Sequence, residues 1–253
     1  MNAAALKKLL DQKVDFYNQP SFIKDDPVCV PHRFTQLQDI EIAGFFAAIF
    51  AWGNRTTIIN KATELLQRMD NAPHAFCTQH AASDLKRLLG FKHRTFTDTD
   101  LLYFVEFFKQ HYRQYQSLET AFTMHGRKME EMLNGFHHYF FSLEHIPART
   151  RKHIASPERG SACKRINMFL RWMVRSDNRG VDFGLWKNIQ PAQLICPIDL
   201  HVARVAKQLG ILQLPKSDWA SAVSLTSFLQ TLDPADPVKY DFALFALGVH
   251  EKF

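Results

Sequence analysis

The sequence has few cysteines: four among 253 residues, at Cys29, Cys77, Cys163 and Cys196. Their wide separation excludes a disulfide scaffold and the closely spaced ligands of a zinc ribbon or an iron–sulfur cluster. No stretch approaches the ~18 uninterrupted apolar residues of a membrane span, and residues 1–10 lack a signal-peptide core. We therefore expect a soluble protein of the cytoplasm.

The sequence also lacks the short motifs of many nucleotide-binding and hydrolytic enzymes. It contains no P-loop and no Gly-x-Gly-x-x-Gly, His-Glu-x-x-His or Gly-x-Ser-x-Gly pattern. His74, Cys77 and His80 provide three soft ligands, but this segment offers no fourth ligand for zinc. We expect neither a metal nor an organic cofactor.

Strand signals are missing as well, since no segment alternates with a period of two and no Asn-Gly or Asp-Gly pair joins two alternating segments as a hairpin turn. Apolar residues recur at helical spacing almost throughout. Asp199 and Gly210 stand where a helix needs an N-cap and a left-handed C′ residue, and Gly248 is placed as a helix stop. The predicted helices cover residues 39–52, 58–69, 100–115, 127–141, 161–175, 199–209, 217–232 and 236–248. The chain is predicted to be all-α, with linkers at residues 145–160 and 176–198.

Positive charge is concentrated in one segment of the chain. The formal net charge is +6, while residues 145–180 hold nine Lys and Arg against two acidic residues, a net charge of +7. A basic segment on an otherwise neutral body is typical of a surface that binds phosphate groups. A solvated face without a partner explains the charge alone equally well.

A helical wheel of residues 161–175 separates apolar from basic side chains. Lys164, Arg171 and Arg175 fall opposite the apolar residues, which predicts a cationic stripe facing away from the core. Lys164 lies in the first turn, after Gly160 and Ser161, where free backbone N–H groups can hold a phosphate. Positive surroundings there favour a neutral, nucleophilic amine, although a merely solvated lysine fits the same pattern.

A second block of the sequence is more specific. Residues 197–205, Pro-Ile-Asp-Leu-His-Val-Ala-Arg-Val, followed by Leu-Gly at 209–210, resemble the Pro-Val-Asp-Thr-His-Val-x-Arg-Val…Leu-Gly block of the helix-hairpin-helix DNA glycosylases. In that family the Asp of this block is catalytic, and a lysine four residues after a hairpin glycine is the Schiff-base nucleophile. The matching residues are Asp199 and, four residues after Gly160, Lys164. Residues 53–63 are similar to the early helix-turn-helix of the endonuclease-III-like branch, and residues 241–248 to the closing helix.

The sequence departs from the family pattern at several points. Ala162 replaces the second glycine of the hairpin, and Gly53 stands where a duplex-inserting glutamine is usual. The gap between Lys164 and Asp199 is about twice that of the common branches and is similar to the gap in the archaeal 8-oxoguanine glycosylases. The C-terminal iron–sulfur cysteines of many members are missing.

The resemblance implies a two-lobed helical bundle that forms one glycosylase-like unit over residues 1–253. Its lobes are expected near residues 30–160 and 161–253, with the N-terminal segment packing on the second. The protein is expected to be a monomer, associated with the nucleoid, that acts on double-stranded DNA. It would flip out a damaged base, with an oxidised purine such as 8-oxoguanine as first choice.

The resemblance also implies roles for single residues. Asp199 would stabilise the oxocarbenium-like sugar, and Lys164 would attack C1′. His201 is a candidate to tune or orient Asp199, because it follows Asp199 closely along the same predicted helix. Three tryptophans, Trp52, Trp172 and Trp186, are candidates to stack on the flipped base. The residues expected to contact DNA are Arg159, Gly160, Ser161, Arg165, Arg171, Arg175, Asn54 and Arg55.

Two alternatives remain open from the sequence. The first is a monofunctional glycosylase for alkylated bases, in which Asp199 activates water and Lys164 only binds phosphate. The second is a helical nucleic-acid-binding protein that has the fold without the chemistry.

Overall fold

A computed structural model describes residues 2–213, 216–249, 251 and 253. The described chain is predominantly helical, as predicted, and none of its helices is both long and apolar enough to span a bilayer. Its helices are α1 (Ala3–Tyr17), α2 (Pro20–Ile23), α3 (Leu37–Ile49), α4 (Arg55–Arg68), α5 (Pro73–Gln79), α6 (Asp98–Gln114), α7 (Thr120–Thr123), α8 (Met129–Phe140), α9 (Lys164–Val174), α10 (Leu200–Gln208), α11 (Trp219–Leu232) and α12 (Tyr240–Val249). One small hairpin joins β1 (Lys92–His93) to β2 (Phe96–Thr97).

The chain divides into two compact units. The first, here called the central unit, is Lys24–Ala155. The second, here called the split unit, combines the residues before Lys24 with those from Ser156 onward. The boundary after Ala155 lies inside the linker predicted at residues 145–160, and the N-terminal residues belong with the C-terminal ones.

The central unit is built around phenylalanine. Helix α3 is buried on all sides over ten consecutive residues, which explains its almost continuously apolar sequence. Phe45 contacts α6 and α8, with its ring centroid 5.6 Å from Phe108 and 5.8 Å from Phe136. The buried Glu41 carboxylate accepts hydrogen bonds from Tyr112 and from Ser117 and Leu118, which follow α6. Edge-to-face rings and a satisfied carboxylate therefore fix this core.

In the split unit, α12 is the central helix. It packs against α1 and α10, and eight of its ten residues are buried. Gly248 lies inside α12, so its predicted role as a helix stop is wrong. A Cβ atom at Gly248 would lie 3.1 Å from Cβ of His201 and 3.3 Å from its backbone, so glycine permits α12 to pass close to the start of α10.

Candidate active site

Asp199 stands at the start of α10 and uses its two carboxylate oxygens separately. The Oδ1 atom accepts hydrogen bonds from the backbone N–H groups of His201 and Val202, both at 2.9 Å. This is the N-cap predicted from the sequence, and Gly210 (φ +75°) ends the same helix at C′. The cap occupies Oδ1 only, so Oδ2 is available to a second partner.

Lys164 is the first residue of α9 and follows a tight turn. Gly160 (φ +72°) and Cys163 (φ +50°) both occupy the left-handed region of backbone space, which is uncommon for a residue with a side chain. The Asn167 side chain donates a hydrogen bond to the carbonyl of Ala162 at 3.0 Å. The first turn of α9 therefore holds the preceding loop in place, and with it the position of Lys164.

The structure brings Lys164 and Asp199 into direct contact. Lys164 Nζ lies 2.6 Å from Asp199 Oδ2, and the two side chains are 33% and 20% exposed. Burial raises the pKa of Asp199, but the Lys164 ammonium and the capping hydrogen bonds outweigh burial, so the pKa lies below its ordinary value of 3.8. The pair is thus an ionised carboxylate and an amine that share a short hydrogen bond and remain partly open to solvent.

His201 lies in the first turn of α10, next to this pair. It is exposed, and its positive charge, when protonated, adds to the lowering of the Asp199 pKa. Its backbone N–H belongs to the cap of Asp199. The structure therefore places it beside the carboxylate.

Arg171 and Arg175 do not form a solvent-facing stripe, and that prediction is wrong. They are 4% and 2% exposed. Arg171 pairs with Asp182 and Asp241, and Arg175 donates to Asp236 at 2.8 Å. Because these buried guanidinium groups are occupied by carboxylates, they are not available to DNA phosphates.

Asp241 connects the buried Arg171 electrostatically to the Lys164–Asp199 pair. Asp241 is the second residue of α12, and its carboxylate accepts a hydrogen bond from Arg171 Nη1. Burial raises the pKa of Asp241 to about 6, against the attraction of Arg171 and Lys164, while Asp199 repels its charge. Asp241 is therefore electrostatically coupled to both members of the pair. Asp241 belongs to residues 241–248, which are similar to the closing helix of the glycosylases, but this similarity did not predict the coupling.

Two of the three predicted stacking residues are in the core. Trp172 is fully buried and Trp186 is 2% exposed, with its ring against Phe169 at 5.4 Å. Neither side chain has a free face for a base, so this prediction is wrong for both. Trp52 in the central unit is half-buried, with its ring 5.0 Å from His93.

The remaining predicted DNA contacts lie at two helix starts, one in each unit. Arg159 and Gly160 are exposed in the turn before α9, whereas Arg165 is half-buried and burial lowers its pKa. In the central unit, the exposed Asn54 caps α4 through a hydrogen bond from the Thr57 N–H at 3.1 Å. Two further residues were predicted to contact DNA. Ser161 accepts a hydrogen bond from the Cys163 N–H, and Arg55 is half-buried.

The donors at the Lys164–Asp199 pair suit proton and group transfer. Among the described residues, no group of three His, Cys, Asp or Glu side chains converges there to hold a metal ion. The nearby thiols of Cys163 and Cys196 are buried, and burial raises the pKa of Cys163 to about 12 and that of Cys196 well above its usual value. The chemically active groups are therefore the amine and the two carboxyls.

A comparison with family models places this arrangement in a known family. The model described as Protein of unknown function (DUF2400) matches residues 26–250, and the chain belongs to that family. The match covers nearly all of the central unit and most of the split unit, including the starts of α9 and α10. No curated protein and no solved structure gives a significant match.

Proposed function

We propose that the protein is a base-excision DNA glycosylase with AP-lyase activity, built on a two-lobed helix-hairpin-helix fold. The observation that carries this proposal is the 2.6 Å contact between Lys164 Nζ and Asp199 Oδ2 at the starts of two helices. An amine and a carboxylate in direct contact are the two groups that Schiff-base chemistry at a sugar carbon requires. The sequence block around Asp199 supports the same assignment.

The reaction begins with a proton transfer within the pair. Lys164 passes a proton to Asp199 as the amine nitrogen forms a bond to C1′ of the damaged nucleotide. The bond between C1′ and the base nitrogen breaks, and the base leaves with the electron pair and takes up a proton. One amine proton is then transferred to O4′ as the C1′–O4′ bond breaks, which opens the sugar ring and leaves a protonated Schiff base between Lys164 and C1′. This Schiff base acidifies the C2′ proton, and loss of that proton expels the 3′ phosphate and nicks the strand.

Access to C1′ requires the nucleotide to leave the base stack. Exposed Arg159 and Gly160, in the turn before α9, are the groups proposed to hold the DNA backbone during this step. The first turn of α9 adds backbone N–H groups, and the Cys163 thiol donates to the Ser161 carbonyl at 3.4 Å and does not cap the helix. A helix start without a side-chain cap favours a phosphate at that end.

A monofunctional glycosylase is a second candidate, and the same contact is what favours it. An amine whose proton is shared with Asp199 is not a free nucleophile, and Asp199 then activates water. In that reaction Lys164 only supports the charge of the carboxylate. The two candidates differ in one product: only the lyase forms a covalent bond between enzyme and DNA.

Borohydride trapping separates the candidates. Lesion-containing duplexes are incubated with the wild-type chain, Lys164→Gln, Asp199→Asn and, as a control, Lys207→Gln, which changes an exposed lysine on α10. The proposal expects a covalent adduct with wild type and Lys207→Gln that is absent with Lys164→Gln and from undamaged DNA. Base release without an adduct supports the monofunctional enzyme. Binding without base release from any lesion supports a non-catalytic protein.

The substrate is proposed to be an oxidised purine, with alkylated purines as the second choice. A panel of duplexes, each with a single lesion, is scored for base release and for strand nicking without alkali. Preferential release of 8-oxoguanine supports the first choice. Release of alkylated purines alone overturns it and leaves the enzyme assignment intact.

A further inference from the structure

In the β1–β2 hairpin of the central unit, one residue of each strand is buried, while Lys92 and Arg94 are exposed. His93 and Phe96 are buried, and the His93 imidazole Nε2 lies 3.0 Å from the Phe50 carbonyl. The two residues between the strands, Arg94 and Thr95, form a tight exposed turn. These buried contacts hold the two strands in place, and with them the exposed turn between the strands.

Arg94 occupies an unusual position at this tip. Its backbone has φ +55°, a left-handed conformation that side-chain-bearing residues rarely adopt. Its side chain lies across Gly53, because a Cβ atom at Gly53 would come within 2.1 Å of Arg94 Nη1. Within the described residues, the Arg94 guanidinium has no carboxylate partner. The positive charge of Arg94 is therefore available to a ligand beside the backbone of Gly53, next to Asn54.

Arg149 is fixed next to the same turn. It belongs to a short 3-10 turn, Ala148–His153, and its Nη2 atom donates a hydrogen bond to the Thr95 carbonyl at 2.8 Å. Its Nη2 atom also lies 3.4 Å from the buried carboxylate of Asp100, yet the Arg149 side chain is 42% exposed. Asp100 is shared with Thr150 and other donors, so Arg149 keeps N–H groups for a partner.

Two acidic side chains near the hairpin, Asp98 and Asp100, already accept hydrogen bonds from neighbouring groups of the protein. Burial raises the pKa of Asp100, but hydrogen bonds from His153 and its neighbours outweigh burial and hold the pKa at about 2. Asp98 accepts hydrogen bonds from the backbone N–H groups of Gly90 and Thr99, both at 2.8 Å. The solvent-facing charge at the hairpin tip is therefore positive, with the exposed Lys92 as its third member.

We infer that Lys92, Arg94 and Arg149, here called the hairpin patch, bind the phosphate backbone of double-stranded DNA. The inference rests on the proposed function, and it assigns a DNA-contacting surface to the central unit. The Arg94 guanidinium beside Gly53 and the Arg149 guanidinium on the Thr95 carbonyl each present forked donors that match phosphate oxygens. The absence of a side chain at Gly53 leaves the room that the Arg94 guanidinium occupies and so fixes where this charge is presented.

The test measures how the affinity of the full chain for a short DNA duplex depends on salt. The variants are Lys92→Gln, Arg94→Asn and Arg149→Gln, with Arg113→Gln as a control at an exposed arginine of α6. Arg94→Asn is safe for folding because asparagine tolerates the left-handed region. Each lost phosphate contact lowers the slope of log K against log salt concentration by about 0.9.

We expect a slope reduced by about 1 in each single variant and by about 2 in Arg94→Asn/Arg149→Gln, with Arg113→Gln unchanged. Borohydride adduct formation by the control variant Arg113→Gln is expected to match that of the wild type. A wild-type slope in the patch variants overturns the inference while wild-type trapping still supports the proposed function. Loss of affinity for single-stranded RNA alone, with duplex binding intact, overturns the DNA assignment. A wild-type chain that binds duplex but gives neither adduct nor base release contradicts the proposed function without affecting the patch result.

Discussion

Lys164 Nζ and Asp199 Oδ2 lie 2.6 Å apart across 35 residues of sequence. One oxygen of Asp199 caps a helix and the other contacts the amine, so the two tasks can be separated by mutation. Asn caps helices as well as Asp does. We expect Asp199→Asn to keep the helix cap, to lose no more than about 1 kcal/mol of unfolding free energy with the ion pair, and to lower the rate of base excision by about 10²–10⁴-fold.

Asp218 supplies the matched control, because it caps α11 through a hydrogen bond from the Ser221 N–H at 2.9 Å. Asp218→Asn should leave the rate of base excision unchanged. Equal excision rates in Asp199→Asn and the wild type would remove both enzymatic proposals.

Lys164→Gln is expected to separate chemistry from stability. The ion pair is partly exposed, so its loss should reduce the free energy of unfolding by no more than about 1 kcal/mol. The covalent adduct should nevertheless disappear completely. Denaturant unfolding and borohydride trapping on the same preparations check the two effects. A large loss of stability would show that Lys164 is chiefly structural.

Arg171 and Arg159 should respond oppositely to the same substitution. Arg171→Gln leaves Asp241 and Asp182 without their buried partner and should cost about 3–5 kcal/mol of unfolding free energy. Arg159→Gln, at an exposed site, should leave stability unchanged and lower the salt slope of duplex binding by about 1. Thermal unfolding and salt titrations distinguish the two. An Arg171→Gln variant with wild-type stability and weakened DNA binding would contradict its buried role.

The raised pKa of Asp241 should make the free energy of unfolding depend on pH. Because burial raises its pKa from 3.8 to about 6, the folded chain holds this proton after the unfolded chain has lost it. The contribution is fully present below about pH 4 and is lost as the pH rises through about 6, a change of about 3 kcal/mol. Wild type should therefore lose stability relative to Asp241→Asn over that range.

Urea unfolding of both chains at several pH values measures this difference. Asp218→Asn is the control of opposite sign, since backbone hydrogen bonding from Ser221 lowers the pKa of Asp218. A difference between wild type and Asp241→Asn that stays flat from about pH 4 to 7 would refute the assignment.

Local signals in the sequence were sufficient for the start of α10. Capping depends on residues within one turn, so Asp199 and Gly210 predicted both ends of that helix. The buried helix α3 was equally clear from its apolar run. The hairpin was missed because two-residue strands are too short to show alternation, and its turn is Arg94-Thr95 and not a typical hairpin pair.

Long-range contacts explain the errors at α9. The helical wheel placed Arg171 and Arg175 correctly on one side of the helix, but it assumed that this side meets water. The carboxylates that cover them come from positions up to 70 residues away, in a loop and in α12. Nothing within a single helix records which distant side chains will pack against it. The same coverage buries Trp172 and removes it from the stacking candidates.

The capping bond of Asp199 has a consequence for how the amine meets a ligand. Its carboxylate cannot rotate about the Cβ–Cγ bond without breaking the hydrogen bonds that start α10. Folding alone thus freezes the direction in which Oδ2 faces Lys164. A ligand that reaches the amine spends none of its own binding free energy on aligning the acid.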